Sequence, residues 1–414
     1  MKLGKYSWGI GDRFTHQGEA LLKAIMKAKE NGVPMSPVWN KSNREHLTIG
    51  SEPVDTRKAA DAAVKALCWT DAYFVDADHI NLKTVDRFLD VSDFFTIDVA
   101  DYIGQKGDSA DIDDFVKKNK GKIGELRIPG IDHAFKITED FLNEIGKKYL
   151  YAVKQASAIY QHIKKNKKGD FVTEVSMDEV DQPQTPVELY FILSLLAEHN
   201  VPAQTIAPKF TGRFNKGVDY EGDAKQFAKE FEEDLLVIDY AIKEFGLPED
   251  LKLSVHSGSD KFTIYPIMGR LIKKYDKGIH VKTAGTTWLE EAIGLALAGG
   301  EALDLVKDIY KVAYDTMEEL CQPYATVIDI HKDRLPAPQE VDKWTSNQMA
   351  DALRHVPEHK QYNPDMRQLI HVAYKLAAKK GDKYTNLLKK HKDLIGKQVT
   401  ENIWERHIRR MFEI

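Results

Sequence analysis

The stretch AYFVDADHI, residues 72–80, starts like a buried strand and ends in two acids and a histidine. Tyr73 and Val75 alternate with Asp76 and Asp78. Because successive side chains of a strand point to opposite faces, the acids are predicted on one face and the apolar residues on the other. Two carboxylates on an inward face are costly unless they are paired or bind something. The stretch therefore predicts a strand that carries part of a functional site.

Segments that resemble strands occur eight times, and each is followed by a helical pattern. They are YSWGIGDRF, VPMSPVWN, AYFVDADHI, DFFTIDVAD, DFVTEVSMDE, PAQTIAPKF, LKLSVHSGS and GIHVKTAG. This alternation predicts an α/β protein with a closed (β/α)8 TIM-like barrel. A doubly wound open sheet is the competing interpretation, but no Gly-x-Gly-x-x-Gly pattern follows the first segment.

The alternation breaks at two places. Residues 102–137 are polar and irregular, which predicts an insertion after the fourth strand. From residue 301 onward only helical patterns follow. We therefore expect a catalytic barrel over residues 1–300 and a helical C-terminal extension over residues 301–414. The extension is expected to pack on the barrel or to take part in assembly as a homo-oligomer.

Composition excludes several classes of protein. The chain has 414 residues with 43% hydrophobic content, enough for a large core. Its net charge of -5 gives no reason to expect nucleic acid as a partner. No segment is apolar over the length of a membrane helix, and the start lacks the pattern of a signal peptide. With only Cys68 and Cys321, a disulfide framework is excluded, so we expect a cytoplasmic protein.

The alternation of each strand predicts which polar side chains face the barrel lumen. The chemistry of such barrels lies at the carboxyl ends of the strands. His79 is placed outside by this rule, but it lies where the strand should end and can turn inward. The inward set comprises Asp76, Asp78, Thr96, Asp98, Glu174, Ser176, Asp178, His256, His280 and Lys282.

Carboxylates and imidazoles at one end of a barrel suit a divalent cation such as Zn, Mn, Co or Ni. A single inward histidine would more often be a hydrogen-bonded core residue. Because five strands direct acids, imidazoles or an amine to the same end, the interpretation as a functional site is favoured.

Two stretches with small residues and hydroxyls follow the last two strands: HSGSDKF, residues 256–262, and KTAGTTW, residues 282–288. Backbone N–H groups in such loops often bind anions in barrels. The alternative is that they are ordinary turns with Ser or Thr helix caps. Their neighbouring positions favour anion binding.

Further charged residues lie near the expected mouth of the barrel. Lys209, Arg213 and Lys216 follow the sixth strand, and one or more of them could hold a carboxylate. Asp12 and Arg13 either join the site or form a structural salt bridge. Arg367 and His371, on an amphipathic segment, are expected to be packing or surface residues. The candidate substrate contacts are thus Asp12, Arg13, Asp98, Asp178, Lys209, Ser257, Ser259, Lys282 and Thr286.

Several of these motifs together resemble the tagaturonate/fructuronate epimerases of bacterial hexuronate breakdown. The similar stretches run in family order from residue 9 to about residue 375. They are GDRF, DADH, FTIDVAD, EVSMDE, GVDYEGD, HSGSDKF, HVKTAGT and RQLIHVAY. The resemblance implies a metal-dependent enzyme that interconverts D-tagaturonate and D-fructuronate. Residues 102–137 match poorly, and longer members of the family carry a segment ahead of GDRF.

The resemblance also implies roles for individual residues. Asp78 matches a proton acceptor and Glu174 a proton donor. His79 and His256 match metal ligands. A further ligand is needed, and the inward alternation, not the resemblance, suggests His280 for it.

The two sugar acids differ at a carbon beta to the ketone, so simple enolisation cannot interconvert them. A retro-aldol route is expected, in which burial raises the pKa of one carboxylate so that Glu174 can act as an acid. The substrate carboxylate is expected on the last two loops. The alternatives are a metal-dependent aldolase or ketose/aldose isomerase on the same barrel, and a non-catalytic sugar-binding or metal-binding barrel.

Overall fold

Eight parallel strands close into a barrel in the computed structural model, which describes residues 2–283 and 285–414. Neighbouring strands follow chain order, and the last pairs with the first. The prediction of a TIM-like (β/α)8 barrel is confirmed. The strands are β1 (Tyr6–Gly11), β2 (Ser36–Ser42), β3 (Phe74–Ile80), β4 (Phe94–Asp98), β5 (Val172–Ser176), β6 (Thr205–Ala207), β7 (Lys252–His256) and β8 (Ile279–Lys282).

Helices cover the outside of the barrel. After β1 to β3 come α1 (Gly18–Glu30), α2 (Asn43–Ile49), α3 (Pro53–Ala66) and the 3-10 turn Val85–Arg87. The predicted insertion after β4 contains the 3-10 turn Ala100–Tyr102, α4 (Ser109–Lys118), the 3-10 turn Lys120–Lys122 and an antiparallel hairpin of Gly124–Leu126 with Phe135–Ile137. It leads into α5 (Glu139–Ile145), a π-helical turn Gly146–Leu150 and α6 (Tyr151–Asn166). The later strands are followed by α7 (Pro186–Glu198), α8 (Ala224–Phe245), α9 (Tyr265–Lys274) and α10 (Thr286–Ala298).

The C-terminal extension is helical, as predicted. It contains α11 (Gly300–Asp315), α12 (Met317–Cys321), 3-10 turns at Gln322–Tyr324 and Lys332–Arg334, α13 (Pro338–Val341), α14 (Ser346–Leu353), α15 (Pro364–Val372), α16 (Tyr374–Ala378), α17 (Asp382–Lys390), α18 (Lys392–Glu401), a π-helical stretch Asn402–Ile408 and α19 (Arg409–Phe412). α14 and α18 pack on α10, and α18 also packs on α1. One hydrophobic core runs through barrel and extension, and a domain boundary at residue 300 stays a prediction.

The amino end of the lumen contains an apolar cluster beside polar side chains such as Ser7 and His280. The cluster consists of buried apolar side chains: Leu3, Val38, Phe74, Phe94 and Val172. Each of the last four is followed on the same face, two positions later, by a polar residue. The outward residues of the same strands, such as Val75 and Val255, belong to the main core. On these four strands the alternation therefore places apolar side chains at the amino end of the lumen and polar side chains nearer its carboxyl end.

A buried carboxylate joins the extension to the loop after β7. Asp260 is fully buried and lies 2.7 Å from Arg367 Nη2, 3.0 Å from His355 Nδ1 and 2.8 Å from His407 Nε2. Arg367 and His371 are both buried, so of the two expectations for them packing holds and surface exposure does not. These three partners of Asp260 come from the extension, which is thereby fixed to the carboxyl end of the barrel.

Among the described residues, no helix is long and apolar enough to cross a bilayer. Both cysteines are free thiols.

Replacing Arg367 by Met should destabilise the fold by about 3 to 5 kcal/mol, because it leaves Asp260 buried without its guanidinium partner. Urea unfolding followed by circular dichroism measures the loss. Arg270→Met is the matched control, since the Arg270–Glu413 pair is more than half exposed on both sides and should contribute less than about 1 kcal/mol. Equal effects of the two substitutions would contradict the role of the buried pair.

Glu291 on α10 gives the stability a pH dependence. Its carboxylate is buried and accepts hydrogen bonds from Tyr384 Oη and Gln17 Nε2. Burial, reinforced by Asp12, raises its pKa from 4.5 to about 8. Between these values the unfolded chain releases a proton that the folded chain keeps, so this group's contribution to stability is lost as the pH rises.

Glu291→Gln, which stays neutral, should therefore remove this loss. The melting temperature of the variant relative to the unsubstituted chain should rise between about pH 4.5 and pH 8, where only the unfolded chain has released the proton, and level off above. Thermal unfolding at several pH values measures the difference. A difference that is the same at every pH would contradict the assignment.

Candidate active site and metal centre

Two imidazoles and one carboxylate meet at the mouth of the barrel. His79, Asp178 and His256 each place one potential ligand atom within 4.8 Å of the others. The two rings are 5.3 Å apart between centroids. Asp178 lies between them, with Oδ1 3.4 Å from His79 Nε2 and Oδ2 3.1 Å from His256 Nδ1. The three residues come from β3, the end of β5 and β7, and form the candidate metal centre.

An irregularity in β3 brings His79 into this centre. His79 has a φ of 50°, in the left-handed region that non-glycine residues rarely adopt, and the pairing of β3 with β4 shifts register between Ala77 and Ile80. The shift turns the imidazole to the lumen, although strict alternation would direct it outward. Such strained positions are often found at functional sites.

The donor set fits a divalent cation. His256 Nδ1 is buried and makes no hydrogen bond with any described residue, although a carboxylate oxygen of Asp178 is 3.1 Å away. Burial by itself would lower the pKa of His256, but Asp178 and Glu174 raise it to about 9. Burial would also lower the pKa of His79, but Asp78 and Asp178 raise it. The site thus stabilises a positive charge between its nitrogen and oxygen donors. Zinc and related divalent metals bind to donors of this kind.

The structure does not bring His280 to this centre. His280 faces the lumen, but it lies deeper, with Nδ1 2.9 Å from Ser7 Oγ and its ring 5.2 Å from that of Phe94. Burial lowers its pKa to about 3. Asp178, expected as a substrate contact, takes the third position instead.

Below the centre, the amine of Lys282 is enclosed by three carboxylates. Its Nζ lies 2.8 Å from Asp76 Oδ2, 2.9 Å from Asp78 Oδ1 and 2.8 Å from Glu174 Oε1. Lys282 also donates to the hydroxyl of Thr96, which is 3.0 Å from Asp76 and 3.2 Å from Glu174. Their side chains face the lumen, as the alternation predicted. These acids and the amine form what we call the carboxylate–lysine cluster: Asp76, Asp78, Glu174 and Lys282.

Each of two acids in the cluster also orients one imidazole of the metal centre. Asp78 Oδ1 is 3.0 Å from His79 Nδ1, and Glu174 Oε1 is 2.9 Å from His256 Nε2. Carboxylates that hold the second nitrogen of a ligand histidine fix the orientation of its ring. The cluster and the metal centre therefore form one continuous network.

The charges of the cluster differ from the expectation for Glu174. Burial opposes ionisation, but Lys282 and His256 hold the pKa of Glu174 well below its usual range. Lys282 and His79 likewise lower the pKa of Asp78. The raised carboxyl is Asp76, whose pKa burial and the neighbouring acids bring to about 7. The carboxylate whose pKa burial raises is therefore Asp76 and not Glu174, because Lys282 and His256 outweigh the effect of burial on Glu174.

Gly9 on β1 leaves the space that Lys282 needs. A Cβ at Gly9 would lie 2.8 Å from Lys282 Cγ and 3.1 Å from Lys282 Cα. Any larger residue would displace the side chain that carries the amine.

The described hydroxyls that were expected to bind an anion after β7 and β8 have partners within the protein, and Ala284 of the second stretch lies outside the described residues. Ser257 Oγ donates to Lys282 O at 2.7 Å, and the amides of Ser257 and Gly258 also donate to that carbonyl. Ser259 Oγ accepts from Gly217 N at 2.9 Å, and Thr286 Oγ1 is 3.5 Å from Asp260. Since these hydroxyls and amides already have partners and are buried, the sequence-based expectation of a carboxylate there is not supported.

The remaining candidate substrate contacts differ in their partners and in their distance from the metal centre. Asp12 accepts from the amides of His16 and Gln17 at the start of α1, which is a structural role. Asp98 accepts from Ala100 N at 3.0 Å near the metal centre. Lys209 donates to the carbonyl of Val180.

Arg13 points to the mouth and lies over Tyr374. The sequence interpretation missed the tyrosines of the extension, Tyr324 and Tyr374, and also Arg44. Nothing in the sequence indicated that these residues lie at the mouth.

A cavity elsewhere does not compete with this site. It has a volume of about 850 Å³ and lies between α1 and α18, lined among others by His16, Lys23, Lys392 and Trp404. It is outside the barrel, away from the convergent acids and imidazoles.

A parallel barrel whose carboxyl mouth holds paired acids, imidazoles and an amine defines a TIM-barrel enzyme equipped for acid–base chemistry. The chain belongs to the tagaturonate epimerase family, which matches residues 1–411, and it is therefore an isomerase.

Individual relatives agree with this membership. The chain is 28% identical to the tagaturonate/fructuronate epimerase of Thermotoga maritima, over 97% of this chain and 80% of the relative. The native crystal structure of the fructuronate-tagaturonate epimerase UxaE from Cohnella laeviribosi superimposes with a TM-score of 0.82 at 23% identity, over 99% of this chain and 82% of that one. A complex of the same protein with two glycerol molecules gives 0.79 at 24% identity, with the same coverage. At this identity the structures establish the shared fold.

Replacing Asp178 by Ala should weaken divalent-metal binding by at least about 10-fold, because it removes the only carboxylate of the proposed donor set. Titration of the metal-stripped protein with Co²⁺ in a calorimeter measures the change. His280→Gln is the control and should keep the affinity, since His280 lies below the centre. Loss of affinity in the His280 variant alone would restore His280 as the ligand.

Proposed function

We propose that this chain interconverts D-tagaturonate and D-fructuronate with a divalent cation as cofactor. The observation that carries the proposal is the pairing of two acids with two candidate ligand imidazoles, Asp78 with His79 and Glu174 with His256. Family membership and the named activity of the Thermotoga maritima relative support the choice of substrate.

His79, Asp178 and His256 would hold the cation. Their nitrogen and oxygen donors suit Zn, Mn, Co or Ni. When bound, the cation would supply a Lewis acid that polarises the ketone of the substrate.

The residues of the chain then move protons around a carbon–carbon bond. The carbon that changes configuration is beta to the ketone, so the bond between it and the alpha carbon must break. Asp78, ionised beside Lys282, accepts the proton of the hydroxyl on the beta carbon. The bond's electrons pass to the ketone half, and the beta carbon becomes an aldehyde. The aldehyde fragment then rotates, and the carbon–carbon bond forms again on the other face of the aldehyde.

Glu174 donates a proton to the oxygen of the new centre. Glu174 is ionised before the reaction, so it must receive a proton from within the carboxylate–lysine cluster. Asp76, with a pKa of about 7, supports the presence of one exchangeable proton in that cluster near neutral pH. Lys282 lies within 2.9 Å of both Asp78 and Glu174, so it can return the proton after each turnover. The reverse reaction uses the two acids in exchanged roles.

We also place the chain in hexuronate breakdown in the cytoplasm. The free thiols of Cys68 and Cys321 support a reducing compartment. Assembly as a homo-oligomer stays a prediction.

Incubation of the purified, metal-loaded protein with D-fructuronate should give D-tagaturonate, identified by chiral chromatography. Glu174→Gln should lower turnover by about 10²- to 10⁴-fold, because proton donation is lost, while Co²⁺ remains bound. Arg270→Gln, on the surface of α9, is the control and should keep full turnover.

Release of smaller fragments instead of the epimer would identify an aldolase and overturn the proposal. Full turnover of the Glu174 variant would reject the donor role.

A further inference from the structure

Three cationic side chains lie at the carboxyl end of the barrel, each on a segment that follows a different strand. Arg13 follows β1, Arg44 follows β2, and Lys216 belongs to the long loop after β6. The guanidinium of Arg13 lies 4.2 Å from the ring centroid of Tyr374. The guanidinium of Arg44 lies 5.7 Å from that of Tyr324. The cations and the two tyrosines of the extension form what we call the cationic pocket.

The cations of this pocket lack enough anionic partners. Arg13 pairs with Glu45 through Nε at 2.6 Å, but its buried Nη1 has no hydrogen-bond partner among the described residues. The side chain of Arg13 is only 10% exposed, so water does not easily replace the missing partner. Within the described chain, the exposed Arg44 and the half-buried Lys216 form no ion pair within 4.0 Å, so among these cations the cost of burial falls on Arg13. A buried donor without a partner costs free energy unless a ligand supplies an acceptor.

The tyrosines bring Arg13 and Arg44 together, since Tyr324 Oη lies 3.4 Å from Tyr374 Oη. Burial lowers the pKa of Lys216, Glu179 opposes this, and Arg44 and Arg13 lower it further. Glu179 is exposed and makes no ion pair within 4.0 Å with described residues, so it offsets the charge of the pocket only from a distance. The charge balance of the pocket therefore favours an anionic ligand.

The pocket also lies next to the metal centre. Glu45, the partner of Arg13, accepts from the amide of Ser42, and Ser42 is the strand partner of Asp78, which holds His79 of that centre. A six-carbon keto acid carries its ketone and its carboxylate near opposite ends. It could therefore reach the metal centre with one end and the cationic pocket with the other.

We infer that Arg13, Arg44 and Lys216, walled by Tyr324 and Tyr374, bind the carboxylate of the sugar-acid substrate and select it over neutral ketoses. This inference rests on the proposed function. In the loop after β7, which was expected to bind the carboxylate, the hydroxyls of Ser257 and Ser259 already have partners within the protein. The guanidinium groups, in contrast, present the planar donors that carboxylates prefer.

The extension positions the loop that carries Lys216. Lys216 N donates to Val327 O at 2.8 Å, and Arg367 Nε donates to Gly217 O at 2.5 Å. Lys261 Nζ also donates to the carbonyls of Asn215 and Val218 at 3.0 and 2.7 Å. The barrel and the extension thus both contribute to the selection of the acid group.

The test compares an acid with its neutral counterpart. D-tagaturonate and D-tagatose differ only in the carboxylate at the end remote from the ketone. Lys216→Met and Arg44→Gln should each lower kcat/KM for D-tagaturonate by about 10- to 100-fold, mainly through KM, and leave that for D-tagatose within about 2-fold. Arg270→Gln, which removes an exposed charge on α9, should change neither value.

Binding to the Glu174→Gln protein, measured by calorimetry, gives the same comparison when D-tagatose is not turned over. Adding Lys216→Met should raise the dissociation constant of D-tagaturonate about 10- to 100-fold and leave that of D-tagatose unchanged. Equal losses for both sugars, or no loss for the acid, would overturn the inference. Failure of the epimerisation itself would appear in the unsubstituted protein, so the two failures are distinguishable.

Discussion

The ammonium of Lys282, held between the carboxylates of Asp76, Asp78 and Glu174, is the interaction on which the site depends. Three acids buried in one lumen would repel one another and lose their hydration, which folding could not tolerate without a cation among them. With the amine present, Asp78 and Glu174 stay ionised at close range. They can then each hold one imidazole of the metal centre in a fixed orientation. The geometry of the metal donors thus follows from a charge that lies below them.

The metal centre also requires a departure from regular strand geometry. A regular β3 would place Asp78 in the lumen and His79 outside it, since neighbours alternate. The register shift and the left-handed φ of His79 allow both neighbours to face the same side. The backbone strain is tolerated because the side chain gains two carboxylate partners, Asp78 and Asp178. An aspartate followed directly by a histidine at the end of a strand can therefore direct both side chains into the lumen only where the strand is irregular.

Sequence was sufficient for the architecture and for the face of each strand, because both depend on short periodicities. It could not determine how deep in the lumen a side chain lies, or whether its polar atoms already have partners. Alternation gave the same inward label to His280 and His256, yet only His256 reaches the metal centre. The hydroxyls of Ser257 and Ser259 had the right chemistry for an anion, but whether they already had partners depends on tertiary contacts. The neighbours of Arg13 and Arg44 come from the end of the chain, which no local pattern connects to the barrel.

The apolar cluster at the amino end of the lumen includes Phe74 and Phe94, and it packs the barrel behind the site. A reaction that cuts a carbon chain in two must keep both halves until they rejoin. Because packed side chains fill the rear, a small polar aldehyde is held toward the mouth. There it stays beside the other half of the molecule, so confinement favours recombination over escape. The same packing that stabilises the barrel would thereby help to separate an epimerase from a lyase.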